Sequence, residues 1–158
     1  MEPDVLRTTS EEETIAIGEQ FAAWLEVGDV VGISGDLGAG KTEFVKGVCD
    51  YFSVQDLVSS PTFTIINQYA GTTPDGEAVK LYHVDLYRID TPKDLAEVGF
   101  DECVYAHDAI KLVEWPEKAE SHMPPHAWRV QIDPSDDGED VRVITVTRPE
   151  NKDEREVE

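Results

Sequence analysis

The sequence predicts an α/β fold of the P-loop NTPase kind, a single domain with a mixed central sheet flanked by helices, and three observations carry that prediction. Residues Gly35-Asp36-Leu37-Gly38-Ala39-Gly40-Lys41-Thr42 satisfy G-x-x-x-x-G-K-[ST] at every fixed position, the pattern of a phosphate-binding loop. The apolar run Val30-Val31-Gly32-Ile33-Ser34 precedes it as a strand, and Thr42 to Asp50 follows as a helix with Phe44, Val45 and Val48 on its apolar side. Two later strand-like segments each end in an acid, Asp85 and Glu114.

Each fixed residue of the loop answers a need of a bound polyphosphate. Glycines let backbone N–H groups approach phosphate oxygens, the Lys41 ammonium reaches the β and γ oxygens, and the Thr42 hydroxyl can hold Mg²⁺. Gly35 through Thr42 is therefore the expected cofactor-binding segment, and a nucleoside triphosphate the expected ligand. Two acid-tipped strands complete such a site, one carboxylate for Mg²⁺, directly or through water, and one to orient or deprotonate the attacking water. The pattern leaves open which of Asp85 and Glu114 does which.

Ahead of the loop, Ser10-Glu11-Glu12-Glu13 carries S-x-x-E before an apolar periodicity, a capping box that opens a helix to about Glu26 with Ile17, Phe21, Trp24 and Leu25 as its buried stripe. This helix is read as a packing element before the first strand; a weaker reading places Ser10 to Thr14 against a nucleotide base. After the loop helix, Val58 to Thr64 combines a short strand, Pro61 and several hydroxyls, with Thr62 the candidate for a threonine that senses Mg²⁺ and γ-phosphate. The turn cluster Gly71 to Gly76 predicts a hairpin between a strand ending near Tyr69 and Ala78 to Val84, which makes the sheet mixed. Thr91-Pro92 opens a short helix carrying Leu95 and Val98, Ala109 to Glu114 forms a strand stopped by Pro116, and Ala127 to Ile132 pairs with Val141 to Val146 as a closing hairpin. His122 and His126 lie in a proline loop and are expected to face solvent; zinc there would need Cys103 and His107 to fold onto them.

At 158 residues the chain is read as one domain over residues 1–148, with a charged tail, 149–158, expected to be disordered. No apolar run approaches a membrane span and no signal peptide leads the chain, so a cytoplasmic location is expected. Cys49 and Cys103 are too far apart in sequence to suggest a CxxC pair or a disulfide framework. The net charge of −21, from 34 acidic against 13 basic residues, argues against direct gripping of a phosphate backbone, so any nucleic-acid role should run through a partner. With 40% hydrophobic residues, the charge decorates a folded surface, and adaptation to a salty interior is one reading of it.

In four motifs, taken in order, the sequence resembles the TsaE (YjeE) family, the P-loop ATPase subunit of the bacterial system that makes threonylcarbamoyladenosine in tRNA. They are the loop in the form GDLGAGKT, Ser60-Pro61-Thr62-Phe63-Thr64, His83-Val84-Asp85-Leu86-Tyr87-Arg88, and Val113-Glu114-Trp115-Pro116-Glu117, and the likeness runs from about Ser10 to Trp115. The resemblance implies slow hydrolysis of ATP by the chain alone and function inside a complex with the TsaB and TsaD proteins, with tRNA met only through that complex. It further implies that Lys41 binds phosphates, that Thr42 and Glu114 sit at Mg²⁺, that Thr62 is the switch threonine, and that Asp85 is the other essential carboxylate, activating water or contacting the metal from further out. Trp115 would lie beside the metal site, and Arg88 would compensate phosphate charge or pair with a carboxylate. Glu43 departs from the family, where a second hydroxyl residue commonly follows the loop threonine, and its charge suits the helix dipole while opposing phosphate.

Other nucleotide chemistries fit less well. A GTPase would need N-K-x-D after a strand, and Asn151-Lys152-Asp153-Glu154 misses its final Asp and falls in the tail. A small-molecule kinase usually needs an arginine-rich lid, whereas the six arginines here are scattered. A nucleotide-gated assembly factor, whose bound ATP shapes a docking surface, overlaps the ATPase reading.

Overall fold

The computed structural model describes residues 3–59 and 65–149. The chain runs through β1 (Asp4–Thr8), α1 (Glu11–Ala22), β2 (Val30–Ser34), α2 (Lys41–Tyr51), β3 (Ile66–Thr72), β4 (Ala78–Asp85), α3 (Pro92–Val98), α4 (Phe100–Val104), β5 (Ala109–Glu114), a 3-10 helix (Pro116–His122), β6 (Trp128–Ser135) and β7 (Gly138–Thr147). The strands form one seven-stranded sheet in the order β1-β7-β6-β2-β5-β4-β3. Its centre, β6-β2-β5-β4, is parallel, while β3 on one edge and β7 and β1 on the other are antiparallel.

The apolar runs explain this order. Every residue of β5 is buried, and so are the first four of β2, as a parallel strand covered on both faces requires. One face of the sheet, with Val31, Ile33, Leu81, Leu112 and Ile132, packs under α1 and α2. The other, with Val30, Val84 and Val113, packs under α3, α4 and the chain leading to β6. Phe44, Val45 and Val48 of α2 are fully buried, each contributing about 2 kcal/mol of apolar burial. Helices α1 and α2 cross with almost no space between backbones: a Cβ added at Gly47 would stand 1.9 Å from the Ile15 carbonyl oxygen.

The structure adds to and corrects the expected elements. β1 and α4 had no counterpart in the sequence reading. Ser10 caps α1 by accepting the Glu13 N–H at 3.1 Å, but Glu13 reaches back to the Thr9 amide at 2.7 Å, one residue before the reciprocal partner of a capping box. α1 stops at Ala22, not near Glu26, because the amides of Trp24 and Leu25 turn to carbonyls only three residues back. Trp24 consequently leaves the core stripe; it is 43% exposed and stacks on Trp128 at 6.2 Å with the Arg148 guanidinium over its ring. Val58 and Ser59 are not in a strand, and the rest of that segment, including Thr62, lies outside the described residues, as do the terminal residues 150–158. His122 and His126 are half-buried rather than turned to solvent, with His122 Nδ1 3.0 Å from an Asp101 oxygen.

The strand Ala109–Glu114 and both expected hairpins form, but β3 continues through Gly71 to Thr72, past the expected end near Tyr69, and β6 and β7 extend to Ser135 and back to Gly138, leaving a tighter turn. Thr91 and Asp94 exchange both contacts of a capping box at the start of α3, with Pro92 in the first turn. Cys49 and Cys103 are free and buried, which pushes their thiols up to about 12 and about 11. Lys111, 1% exposed on β5, satisfies the carbonyls of Gly28 and Ala106 and so pins two loops below the sheet. Among the described residues no helix is long and apolar enough to cross a membrane.

Candidate functional site

Parallel strands bring their carboxyl ends to one end of a sheet, and the candidate residues gather there, at the ends of β2, β5 and β4. β2 runs directly into Gly35, and α2 begins at Lys41. Between them Gly38 and Gly40 stand at φ +81° and +110°, left-handed conformations that let successive amides turn into a concave nest. Gly40 is also the first cap of α2, so the positive end of that helix faces the nest.

Lys41 is 5% exposed. Its ammonium folds back across the loop, donating to the carbonyls of Gly35 at 2.6 Å and Asp36 at 2.8 Å, and lies 4.3 Å from the centre of the Trp115 ring. Burial lowers its pKa, against the opposing pull of Glu114, Asp85, Glu117 and Asp36. Thr42 follows, half-buried in the first turn of α2.

Asp85 and Glu114 are register partners at the tips of β4 and β5, so both carboxylates leave the same face of the sheet. Asp85 is half-buried; burial raises its pKa, the Tyr87 amide at 3.0 Å lowers it, and the charge of Glu114 raises it again. Glu114 is 2% exposed and is held from behind: its Oε2 lies 2.6 Å from His83 Nε2, and His83 Nδ1 lies 3.3 Å from the Tyr69 hydroxyl. A carboxylate can only accept, so the imidazole is the donor in this contact, through Nε2–H. Sequence reasoning gave His83 no role, although its position two residues before Asp85 on a strand puts both on one face.

Trp115 takes a left-handed backbone (φ 62°, ψ 48°), a conformation costing about 1–3 kcal/mol in a bulky residue. Its amide donates to Ile33 across the sheet at 3.2 Å, and its ring meets Tyr87 at 5.1 Å and the Lys41 ammonium. The ring thus borders the site while also packing, partly buried, against the core under α3 and α4. Glu117 stands close by, 3.5 Å from the Ser34 hydroxyl. Arg88 lies exposed in the turn after β4.

The donor set fits Mg²⁺ with a polyphosphate. Mg²⁺ is usually held by one or two carboxylates, waters and the phosphates themselves, and the structure supplies a hydroxyl, two strand-tip carboxylates and a glycine nest. Among the described residues no three His, Cys, Asp or Glu side chains converge as an all-protein metal cage.

On the other side of the loop a cleft of about 230 Å³ runs along Gly38 to Gly40. Ser10, the cap of α1, Glu11 and Thr14 of α1, Glu43 of α2, and Asp140 and Arg142 of β7 form its walls. Residues at the start of α1 thus border a recess beside the loop.

Comparison with known proteins adds the following. The family model described as "Threonylcarbamoyl adenosine biosynthesis protein TsaE" matches residues 8–144. The tRNA threonylcarbamoyladenosine biosynthesis protein TsaE of Bacillus subtilis is 42% identical over 147 residues, 92% of this chain and 86% of that protein. The protein of the same name from Treponema pallidum is 36% identical over 137 residues, 87% and 95% of the two chains. The crystal structure of YdiB from Bacillus subtilis superposes with a TM-score of 0.76 at 36% identity, covering 97% of this chain and 90% of that one.

Proposed function

The chain belongs to the TsaE family, and from that premise we propose that it binds Mg·ATP at Gly35–Thr42 and hydrolyses it slowly, as the ATPase subunit of the complex that makes threonylcarbamoyladenosine in tRNA, with TsaB and TsaD as its partners. The observation that carries the reading is the placement of a buried Lys41 ammonium on the phosphate loop, facing the register-paired carboxylates Asp85 and Glu114.

Bound Mg²⁺ would neutralise developing charge on the phosphates, held by Thr42 and Glu114. With a nucleotide bound, Lys41 would trade its two carbonyl acceptors for phosphate oxygens. Glu114, fixed by His83, cannot swing, which suits a metal-side ligand. Asp85, with its proton affinity raised by burial, suits the acceptor that orients the attacking water and takes its proton. The cleft beside Gly38–Gly40 takes the base and ribose. Thr62, outside the described residues, is proposed as the switch threonine through the family motif alone. The charge of −21 supports contact with tRNA only through partners, in the cytoplasm.

The test is phosphate release from Mg·ATP by the purified chain, with and without TsaB and TsaD, beside Asp85→Ala. Slow release that partners stimulate and the variant lacks is the expected result. Brisk transfer of phosphate to a small molecule, or no effect of partners at any salt concentration, would overturn the assignment.

A further inference from the structure

Among the described residues, little packs against the crest of the phosphate loop. Leu37 is 72% exposed, Asp36 and Gly38 are exposed, and a Cβ built on Gly38 would meet nothing within 4 Å. What fixes the loop is a set of bonds to its carbonyls. From inside, Lys41 takes those of Gly35 and Asp36, and the Ala39 amide closes a turn onto Asp36 at 3.0 Å. From outside, Arg142 reaches in from β7, a hundred residues away in sequence: Nε donates to the Ala39 carbonyl at 2.8 Å and Nη2 to that of Gly38 at 3.4 Å. Its Nη1 is tied to its own hairpin, to Glu139 and Val141 carbonyls at 2.6 and 3.0 Å.

We propose that Arg142 is a positioning residue for nucleotide binding, a strut that carries the rigidity of the β6–β7 hairpin into the phosphate loop. The chemistry is that of a fork. Nε and one Nη of a guanidinium lie on one edge and donate in parallel, so they can fix two consecutive peptide planes at once, which a lysine cannot. In a trans peptide the C=O and the next N–H point in opposite directions. Drawing the Gly38 and Ala39 carbonyls toward Arg142 therefore turns the amides of Ala39 and Gly40 away from it; the first is used within the loop, and the second is presented for an anion. A loop already in that arrangement loses less entropy when a polyphosphate binds. The same cation also borders the cleft, among Glu11, Glu43 and Asp140, and offsets carboxylates that would repel a phosphate.

This inference rests on the reading of Gly35–Thr42 as a polyphosphate site, and the experiment separates the two. Amide hydrogen exchange and calorimetric binding of ADP and Mg·ATP are measured on the full chain, on Arg142→Lys, on Arg142→Met, and on Arg7→Ala, an exposed arginine paired with Asp137 at the tip of the same hairpin. The expected result is faster exchange at residues 38–41 in both Arg142 variants, with β6 and β7 amides unchanged. Affinity for ADP and ATP should fall by about tenfold, by the same factor for each, and KM for ATP should rise while kcat stays within a few-fold. Arg7→Ala should match wild type. Wild-type exchange and affinity in Arg142→Lys would overturn the proposal, and so would faster exchange spread over the whole hairpin, which marks a residue serving only its own turn. A wild-type chain that binds no nucleotide would remove the polyphosphate reading, while the exchange at residues 38–41 would still decide whether Arg142 holds the loop.

Discussion

At one end of the phosphate loop, Lys41, Asp85, Glu114 and Trp115 are gathered by adjacent parallel strands, and two of the four are at most 5% exposed. At the other end, Ser10, Glu11, Thr14, Glu43, Asp140 and Arg142 arrive from the start of α1, the first turn of α2 and the last strand, and they line an open cleft. The first end is a product of strand register. A parallel pair with Asp85 opposite Glu114 cannot avoid placing two carboxylates side by side. The second end is assembled by packing between elements remote in sequence, through the α1–α2 crossing and the Arg142 fork. The difference teaches that the proposed chemistry falls where the backbone is most constrained, while the proposed ligand fit falls to parts that can be adjusted separately.

The most severe test of that division is Lys41→Ala. Removing the ammonium deletes the one cation facing Asp85 and Glu114 from within the loop and should weaken ATP binding by about 100-fold or more, with hydrolysis lost. Calorimetry with Mg·ATP checks it. Affinity within threefold of wild type would show that phosphate binding is not carried by the strand end at all.

Next in size is His83. It touches no ligand in the proposed chemistry but fixes Glu114 from a fully buried position. His83→Ala should lower Mg²⁺ affinity or turnover about 10- to 100-fold, and His83→Gln, which can still donate to Glu114, should recover part of the loss. The Mg²⁺ dependence of ADP binding reads this directly. Equal behaviour of the two variants would reduce His83 to packing.

How much of each end was legible in the sequence follows from the same physics. The loop, β2, α2 and both acid tips were readable because each is a local pattern: a fixed spacing of glycines, an apolar run, a strand stopped by Pro116. His83 was readable in principle from two-residue strand periodicity, but a histidine at an inward position is usually only packed, so nothing marked it as the partner of a residue 31 positions on. β1 was missed because four of its five residues are exposed, so burial gives it no alternation; only pairing with β7 makes it a strand. Arg142 lies in an alternating segment where it reads as an ordinary outward polar residue, and its bond to Ala39 spans 103 residues. Trp24 was placed in the core because helical periodicity was extended past Ala22, where the amides had already switched to three-residue turns.

Of smaller effect is the crossing that sets the cleft. Gly47→Ala forces α1 off α2, since the new Cβ would sit 1.9 Å from the Ile15 carbonyl oxygen and 2.8 Å from the Glu19 amide nitrogen, both backbone atoms that cannot rotate away. Overpacking of this kind costs about 2 kcal/mol, or about 4–8 °C in Tm for a chain of this size. Because Ser10, Glu11 and Thr14 move with α1, discrimination between ATP and other triphosphates should fall further than affinity for triphosphate as such. Competition binding with GTP and CTP, beside a thermal melt, distinguishes this from general loosening, which would lower all affinities together.

Ser10→Ala should have the smallest effect and isolates the remaining ambiguity at the cleft end. Ser10 lines the recess, yet its hydroxyl already accepts the Glu13 amide, and the Glu13 carboxylate in turn accepts both the amide and the hydroxyl of Thr9, each at 2.7 Å. A side chain committed in this way defines where α1 begins instead of recognising a ligand. Loss of such a cap costs about 1 kcal/mol, and Ser10→Gly, which retains much of the cap preference of a flexible residue, should cost only a few tenths. Nucleotide affinity should stay within about twofold of wild type in both, because the Thr8–Thr14 hydroxyl contact at 2.9 Å still ties the helix start to β1. If instead affinity falls tenfold in Ser10→Ala with Tm unchanged, the hydroxyl is a ligand group, and the cleft end carries recognition chemistry of its own rather than shape alone.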